Sequence, residues 1–470
     1  MLCLKAREEE PDCRQNASPR GTRLDMIPDP YCRAAFEFIR QHLEADPAGT
    51  RQEYAEIEKG LTSRGILFQG KPLPICIAPA LMRQVHLKPL QDQMRRLVRV
   101  LAKLEEPLRT TEWLDRLGIH RTEQQLIQWP SRLKAGEYIS RVDGFLDFRE
   151  DEIRYQIVEL NVDSPGGAAF MDECVRLLKK TSLWKRLAKE FPGRYLDTDS
   201  RDLPLLLKAW EQWGGKGKPR IAVVDWITVN TASEFELLRQ RYNRLGYETI
   251  ICDPRELEYR EGKLRDYDGK VIDLVYRRVL VEDLLAHAEA ARPFLKASRE
   301  EAVCVVNSFA CKPLTVKSLL SWVHRPEFES LLNKSDLTFL RSLIPWTTIV
   351  EDGPLLDKLR QEREQTILKP ADGYGGQGLY LGWEMDELAW ERAIDEAVKD
   401  RYVAQRRVHI PHAEFPVPLE DGWKFEDFRF DFDPYMFGTG VADPLVRVSD
   451  SDVTNVKAGA QIAATWVMND

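Results

Sequence analysis

The segment Tyr155–Gly167, YQIVELNVDSPGG, sets a carboxylate at Glu159 and a carboxamide at Asn161, then breaks into Ser-Pro-Gly-Gly. Residues two apart on a strand point to the same face, so these two would present oxygen ligands side by side. Such a pair suits a hard cation such as Mg2+. In the turn that follows, Ser164, Gly166 and Gly167 either offer backbone N–H groups to a substrate carboxylate or simply close strand into helix. A cation of this kind needs phosphates to hold, and the candidate cradle lies much further along, at GYGGQG, Gly373–Gly378. The run matches G-x-G-x-x-G, but LYLGW after it continues as a strand, so the expectation is a hairpin tip rather than a dinucleotide-binding strand–turn–helix. Gly373, Gly375, Gly376 and Gly378 would let that tip fold over phosphates and offer bare N–H donors. Lys369 stands on the entering strand, placed to reach phosphate charge from beneath, and Asp372 stands at the shoulder.

The elements that must position these groups follow from periodicity. Apolar residues at three- and four-residue spacing predict helices in YCRAAFEFIRQHLE and LKPLQDQMRRLVRVLAKLEE, with a short strand in LPICIAPALM between them. From Tyr138 the period becomes two, and EYISRVDGFLDF and RYQIVELN read as a hairpin joined by REDE. After the glycine-rich boundary GGKGKP, the runs RIAVVDW, ASEFELLRQRYNRLG, ETIICD and VIDLVYRR alternate strand and helix, which predicts a parallel α/β unit with ligand groups at the carboxyl ends of its strands. Arg277 and Arg278 stand at such an end, suited to bidentate binding of a substrate carboxylate, with an ion pair to Glu282 or Asp283 as the alternative. Asn230 and Glu234 face the same crevice if the sheet is parallel, and Asn230 is alternatively a helix cap. LTVKSLLSWV predicts a helix. Hairpins return from Thr366, and Asp431 and Asp433 in FRFDFDPYMF are expected to face water.

The chain has 470 residues, 43% of them hydrophobic and 31% charged, with a net charge of −8 and both signs interspersed. That is enough for two or three packed units, and it argues against a nucleic-acid partner, which leaves a basic stripe. No apolar run reaches the roughly 18 residues of a membrane span. Scattered cysteines without a C-x-x-C pair predict buried free thiols and a cytoplasmic protein.

ILKPADGYGGQG resembles the flexible glycine loop of ATP-grasp enzymes, and RVDGFL with IVELNVDSPGG resembles their metal-binding end. In most of that superfamily the glycine loop comes first. The reversed order here resembles the circularly permuted branch that includes eukaryotic glutathione synthetase and, more distantly, glutathionylspermidine synthetase. TASEFELLRQRYNRLGYETIICDPREL followed by DGKVIDLVYRR is similar in order and spacing to the substrate domain of glutathione synthetase. The resemblance, which covers roughly Tyr138 to Ala460, implies an α/β (α+β) fold, a circularly permuted ATP-grasp with a parallel α/β substrate lobe; the helical periodicities add a mostly helical N-terminal region. Residues 1–25 would be a disordered extension, 26–137 the helical region, 138–213 the metal-binding part, 219–311 the substrate lobe and 312–470 the nucleotide-binding part.

It further implies ATP and Mg2+ as cofactors, with Asp143, Glu159 and Asn161 as metal ligands and Asp372 in place of the family's loop acid. Arg141, Lys369 and Arg447 would carry the catalytic charge. Arg141 would stabilise an oxyanion, or else pair with Asp143 or Asp163. Lys317 matches the family's second nucleotide lysine, with Lys312 a substitute. Gln405 and Arg406 would present backbone groups to the base, and Lys457, with Asn455, would hold phosphate or substrate. The implied reaction is ATP-dependent carboxylate–amine ligation through an acyl phosphate, forming ADP. Its partners would be a small-molecule or peptide carboxylate and an amine acceptor, in a protein compatible with a homodimer. A kinase and a non-catalytic ATP-binding module are the alternatives. The glutathione-binding residues match only in part, so glutathione synthesis is not implied.

Overall fold

The computed structural model describes residues 29–148, 153–195, 201–229, 231–373 and 378–470. The expectations for residues 1–25, the REDE turn, Asn230, Gly375 and Gly376 lie outside the described residues.

Asp29 starts the first helix, Pro30–Ala45, by accepting from the N–H groups of Tyr31 and Cys32, with proline in the first turn. The long helix Gln84–Leu108 buries Leu87, Leu90, Met94, Leu97, Leu101, Leu104 and Leu108 on one face, the spacing that its sequence predicts. The short strand expected in LPICIAPALM forms only at Ala80–Arg83, after Pro79, because prolines at 74 and 79 deny the earlier residues a continuous ladder. This strand pairs in parallel with Thr465–Met468, whose other neighbour is Gly193–Tyr195.

The predicted hairpin is present as Ile139–Asp147 and Arg154–Asn161, with Arg141 opposite Asn161, Asp143 opposite Glu159 and a register shift after Asp143. It is one edge of a larger antiparallel sheet, which continues through Asp433–Phe437, Gly440–Ser449, Trp423–Phe430 and His412–Pro418. FRFDFDPYMF is therefore two strands with Gly440–Ser449 between them. This corrects the expectation for its acids: Asp431 and Asp433 are 1% and 0% exposed, because both turn toward Arg447 on the intervening strand.

The α/β unit is all parallel, in the order Cys304–Val306, Leu274–Arg277, Ile221–Val224, Thr249–Cys252. The helix Ala232–Arg244 crosses between its strands. A second antiparallel sheet holds Thr347–Ile349, Tyr402–Arg406, Thr366–Pro370 and Tyr380–Leu381. Its Leu368 and Ala404 pack with Trp390, Ile394 and Ala397 of the helix Glu387–Lys399. The helix expected over LTVKSLLSWV shortens to Ser318–Trp322, so Lys317 is its cap and is buried. The six described cysteines are free and buried. Among the described residues, no helix is long and apolar enough to cross a membrane.

Candidate functional site

The hairpin with Glu159 and the strand with Lys369, far apart in sequence, line one cleft. Arg141, Asp143, Glu159 and Asn161 come from the first, Ile367, Lys369 and Gly373 from the second, with Lys317, Gln405, Arg406, Arg447 and Asn455 around them. Strand alternation explains the selection: Ile367 and Lys369 face the cleft while Leu368 between them enters the core behind.

Lys369 is buried, and its ammonium donates to neutral oxygens, Gln405 Oε1 at 2.7 Å and the Val158 carbonyl at 3.3 Å. Burial pushes its pKa down to about 8; Glu159 opposes that fall and Lys317 adds to it. Lys317 donates to Glu159 Oε1 at 2.6 Å and to the Gly373 carbonyl at 2.5 Å, tying the start of the glycine loop to the hairpin. Gly378, at the far end of that loop, has φ +68°, and a Cβ there would meet the Tyr402 hydroxyl at 2.8 Å. Gln405 is buried and donates to Thr347, whereas Arg406 is exposed at the rim. Arg407 stacks 4.1 Å over Trp383, and both line the same end of the cleft.

At the other end, Asp143 accepts two bonds from Arg141, at 2.7 and 2.9 Å, one from Asn161 Nδ2 at 2.8 Å and one from Arg447 at 3.0 Å. Burial alone would raise its pKa, but the two arginines outweigh it and hold the carboxyl ionised. Arg447 also bonds Asp431 at 2.7 Å and lies 2.6 Å from Asp433. Burial disfavours the Arg447 charge, and Asp431, Asp433 and Asp143 overcome that. Burial drives Asp433 well above the carboxylate range, with Arg447 opposing.

All three expected metal ligands line the cleft, and each is bonded within the protein. Asp143 spends its oxygens on guanidinium and amide groups, which makes it an anchor for Arg141 and Arg447. Glu159 and Asn161 remain beside the cleft as oxygen donors, a set that fits Mg2+ shared with phosphates, since that ion takes one or two protein ligands and keeps waters. Among the described residues no three His, Cys, Asp or Glu side chains group to hold an ion by themselves. Asp372 instead lies 3.2 Å from the Lys312 ammonium, which also meets Glu282 at 3.1 Å and Glu123 at 4.0 Å. Lys457 is exposed; its backbone N–H bonds Asn455 Oδ1 at 2.8 Å, and it is not among the residues lining the cleft.

The lobe side departs furthest from expectation. Arg277 is fully buried, bonded to Asp163 and to the carbonyls of Asn307 and Val279. Arg278 bonds Glu234 at 3.0 Å, the Pro165 carbonyl at 2.5 Å and the Tyr276 hydroxyl at 3.0 Å. Both arginines are ion-paired, though not to Glu282 or Asp283: the partners are Asp163, just before the Ser-Pro-Gly-Gly turn, and Glu234 of the crossing helix. Within the turn, Ser164 donates to the Arg278 carbonyl, and the Gly166 carbonyl accepts from Arg141 and Tyr435. The N–H groups of Gly167 and Ala169 go to Glu234 Oε1.

Two positioning groups were not anticipated. The Asp431 and Asp433 pair had a signal, acids alternating with Phe430 and Phe432 on a strand near Arg447. Asn307 had none; its side chain bonds Ile139, Val162 and Asp163 and fastens the lobe to the hairpin.

No family model matches the chain, and no curated protein sequence matches it. Among solved structures, the chain is similar to a glutathione synthetase-like effector, GSS30, of Globodera pallida in its apo form. The TM-score is 0.60 at 11% identity, covering 90% of this chain and 98% of that one. The ATP-grasp ligase PsnB, complexed with a minimal precursor, Mg and ADP, gives a TM-score of 0.28 at 15% identity over 52% of this chain and 88% of that one, and at that score adds nothing to the assignment. The chain has a mixed α/β fold similar to that of the glutathione synthetase-like effector.

Proposed function

We propose that this protein is an ATP-dependent carboxylate–amine ligase that forms an amide through an acyl phosphate and releases ADP. The observation that carries this is Lys369, a buried cation whose hydrogen-bond partners among the described residues are neutral, facing a cleft whose opposite wall bears Glu159 and Asn161. Such a lysine awaits an anion, and triphosphate between it and the hairpin satisfies both walls. The chain order, metal strand before glycine loop, supports a circularly permuted ATP-grasp.

In this reading Lys369 and Lys317 bind phosphate oxygens beside the Gly373 end of the glycine loop. Glu159 and Asn161 would hold Mg2+, which neutralises phosphate charge as it transfers. Lys317 takes only Oε1 of Glu159, so the second carboxylate oxygen would be the one offered to the ion. Arg141 and Arg447, held rigidly by Asp143, stabilise the charge developing on the acyl phosphate and on the tetrahedral intermediate. Protein groups thus orient and neutralise; none attacks covalently. The carboxylate substrate, whether a small molecule or a peptide, takes the γ-phosphoryl group as ADP leaves; the amine then attacks the acyl carbon, expels inorganic phosphate and gives up a proton.

A second reading, a nucleotide-binding module without turnover, draws on one observation: the acids of the metal end are already neutralised by the protein's own arginines and lysine. One assay separates the two. Incubation with ATP, Mg2+ and a panel of amino acids, short peptides and amines should release ADP and phosphate with an acceptor-dependent amide product. Tight ATP binding with no release across the panel supports the module, and AMP as the sole nucleotide product refutes the acyl-phosphate route.

A further inference from the structure

Lys369 is held at the cleft wall by a short relay of side chains. Thr347 and Ile367 each stand opposite Gln405 on the strands that flank it in the second antiparallel sheet, and Lys369 lies one diagonal step from Gln405. Opposite and diagonal neighbours share a face of a sheet, so all four side chains stand together. Gln405 Oε1 accepts from the Lys369 ammonium at 2.7 Å, Gln405 Nε2 donates to Thr347 Oγ1 at 3.1 Å, and the Thr347 hydroxyl donates to the Pro345 carbonyl at 2.8 Å. Ile367, Lys369 and Gln405 line the cleft, whereas Thr347 stands behind them; it and Gln405 are each 1% exposed. The two ends of this relay have fixed character, because an ammonium only donates and a carbonyl only accepts. A carboxamide can lie either way round, and a hydroxyl can give or receive. Between those two ends, a single arrangement joins a donor to an acceptor at every contact.

We infer that Thr347 is a positioning residue for the anion-binding lysine. Its hydroxyl, anchored on Pro345, claims the nitrogen of the Gln405 carboxamide and so turns the oxygen to Lys369, which fixes the ammonium at the cleft wall through a neutral partner. Valine has nearly the same shape but leaves Nε2 unpaired in a buried place. The amide then turns toward another acceptor, and the lysine loses its support. The inference rests on the ligase reading above, in which Lys369 meets phosphate.

The test uses the full chain as wild type, Thr347→Val, Thr347→Ser, Gln405→Glu, Lys369→Ala and Thr347→Val combined with each of the last two, with folding followed by urea titration. Calorimetry reads affinity for two probes, Mg–ATP and tripolyphosphate, the second carrying the anion without a base. Thr347→Val should weaken both about tenfold, and Thr347→Ser, which keeps the hydroxyl, should retain most of the affinity. A carboxylate has two like oxygens and no wrong way round, so beside Gln405→Glu the valine change should cost no more than about twofold. Beside Lys369→Ala it should likewise add little. Thr347→Ala, which also lacks the hydroxyl, serves if the valine variant does not fold. Equal losses in serine and valine variants, or an undiminished tenfold loss beside Gln405→Glu, would show that Thr347 only supports the sheet and would overturn the inference. Wild-type affinity in Thr347→Val overturns it too. Wild type that binds tripolyphosphate but not Mg–ATP refutes the ligase reading instead, and the tripolyphosphate series then decides the role of Thr347 alone; wild type that binds neither overturns both.

Discussion

Lys369 sets the most direct chemical expectation. Its pKa is lowered to about 8 by burial, so the charged form is disfavoured in the folded protein relative to a free lysine near 10.4. Between those values the unfolded chain holds a proton that the folded one lacks, so this group adds stability as pH rises through 8 and subtracts it below. Triphosphate reverses the preference by favouring the ammonium. ATP binding should therefore take up a proton above pH 8, seen as a calorimetric heat that varies with buffer ionisation enthalpy, and affinity should fall as pH climbs toward 10. A pH-independent affinity over that range would mean that Lys369 does not meet phosphate. The pairing of Lys317 with Glu159 yields a second expectation. Glu159→Gln should raise the Mg2+ concentration needed for half-maximal turnover, and combined with Lys369→Ala it should be no worse than the more damaging single change, as for residues acting as a unit. Independent, multiplying losses in steady-state kinetics would show that the two do not serve one Mg–ATP.

At the scale of elements, the shoulder of the glycine loop is held by a lysine from elsewhere. Lys312, 1% exposed, joins Asp372 of the loop to Glu282 of the lobe and approaches Glu123 of the helical region. Lys312→Met leaves those acids facing one another, and should cost roughly 2–3 kcal/mol of unfolding free energy, allowing for the partial exposure of Asp372 and Glu282. Adding Asp372→Asn should recover part of that loss in urea titrations; full additivity would refute the coupling. At the other end of the loop, Gly378→Ala forces a Cβ into a positive-φ site against Tyr402, and should weaken ATP binding while leaving the core intact. The sequence announced these elements unevenly. Alternation in RVDGFL and IVELN, together with the strand after GYGGQG, made the two hairpins and their oxygen and lysine donors legible. Helical and α/β periodicities did the same for the lobe. What escaped were particular partners: that Asp143, weighed as a partner of Arg141, also serves Arg447, that Asp431 and Asp433 turn inward, and that the acids paired with Arg277 and Arg278 are Asp163 and Glu234. A residue's type limits what it can bind, but the topology that brings Glu234 against a helix start is set by long-range packing, which a local pattern does not encode.

On the scale of the molecule, the cleft exists because separate stretches of chain are clamped against each other. Asn307 carries four of those bonds, to Ile139, Val162 and Asp163. Asn307→Leu keeps the volume and strands the buried backbone groups, so thermal denaturation should show a clear drop in melting temperature. Turnover should fall further than ATP affinity, because Lys369 and Gln405, the proposed nucleotide contacts, lie on the other sheet. Equal losses in both would show that Asn307 supports the fold as a whole and not the alignment of the lobe with the hairpin.

The strand Thr465–Met468 lies between Ala80–Arg83 and Gly193–Tyr195, segments made long before it. A ribosome delivers those two partners with their shared neighbour still untranslated, so the helical region must wait, with sheet edges unsatisfied, until the centre strand emerges. Maturation of this sheet is thus timed by the emergence of its centre strand rather than by that of its edges. Nascent chains stalled before Thr465 should engage holding chaperones and be cut readily by proteases near Ala80, while chains carrying that strand clear of the exit tunnel should be released and resist.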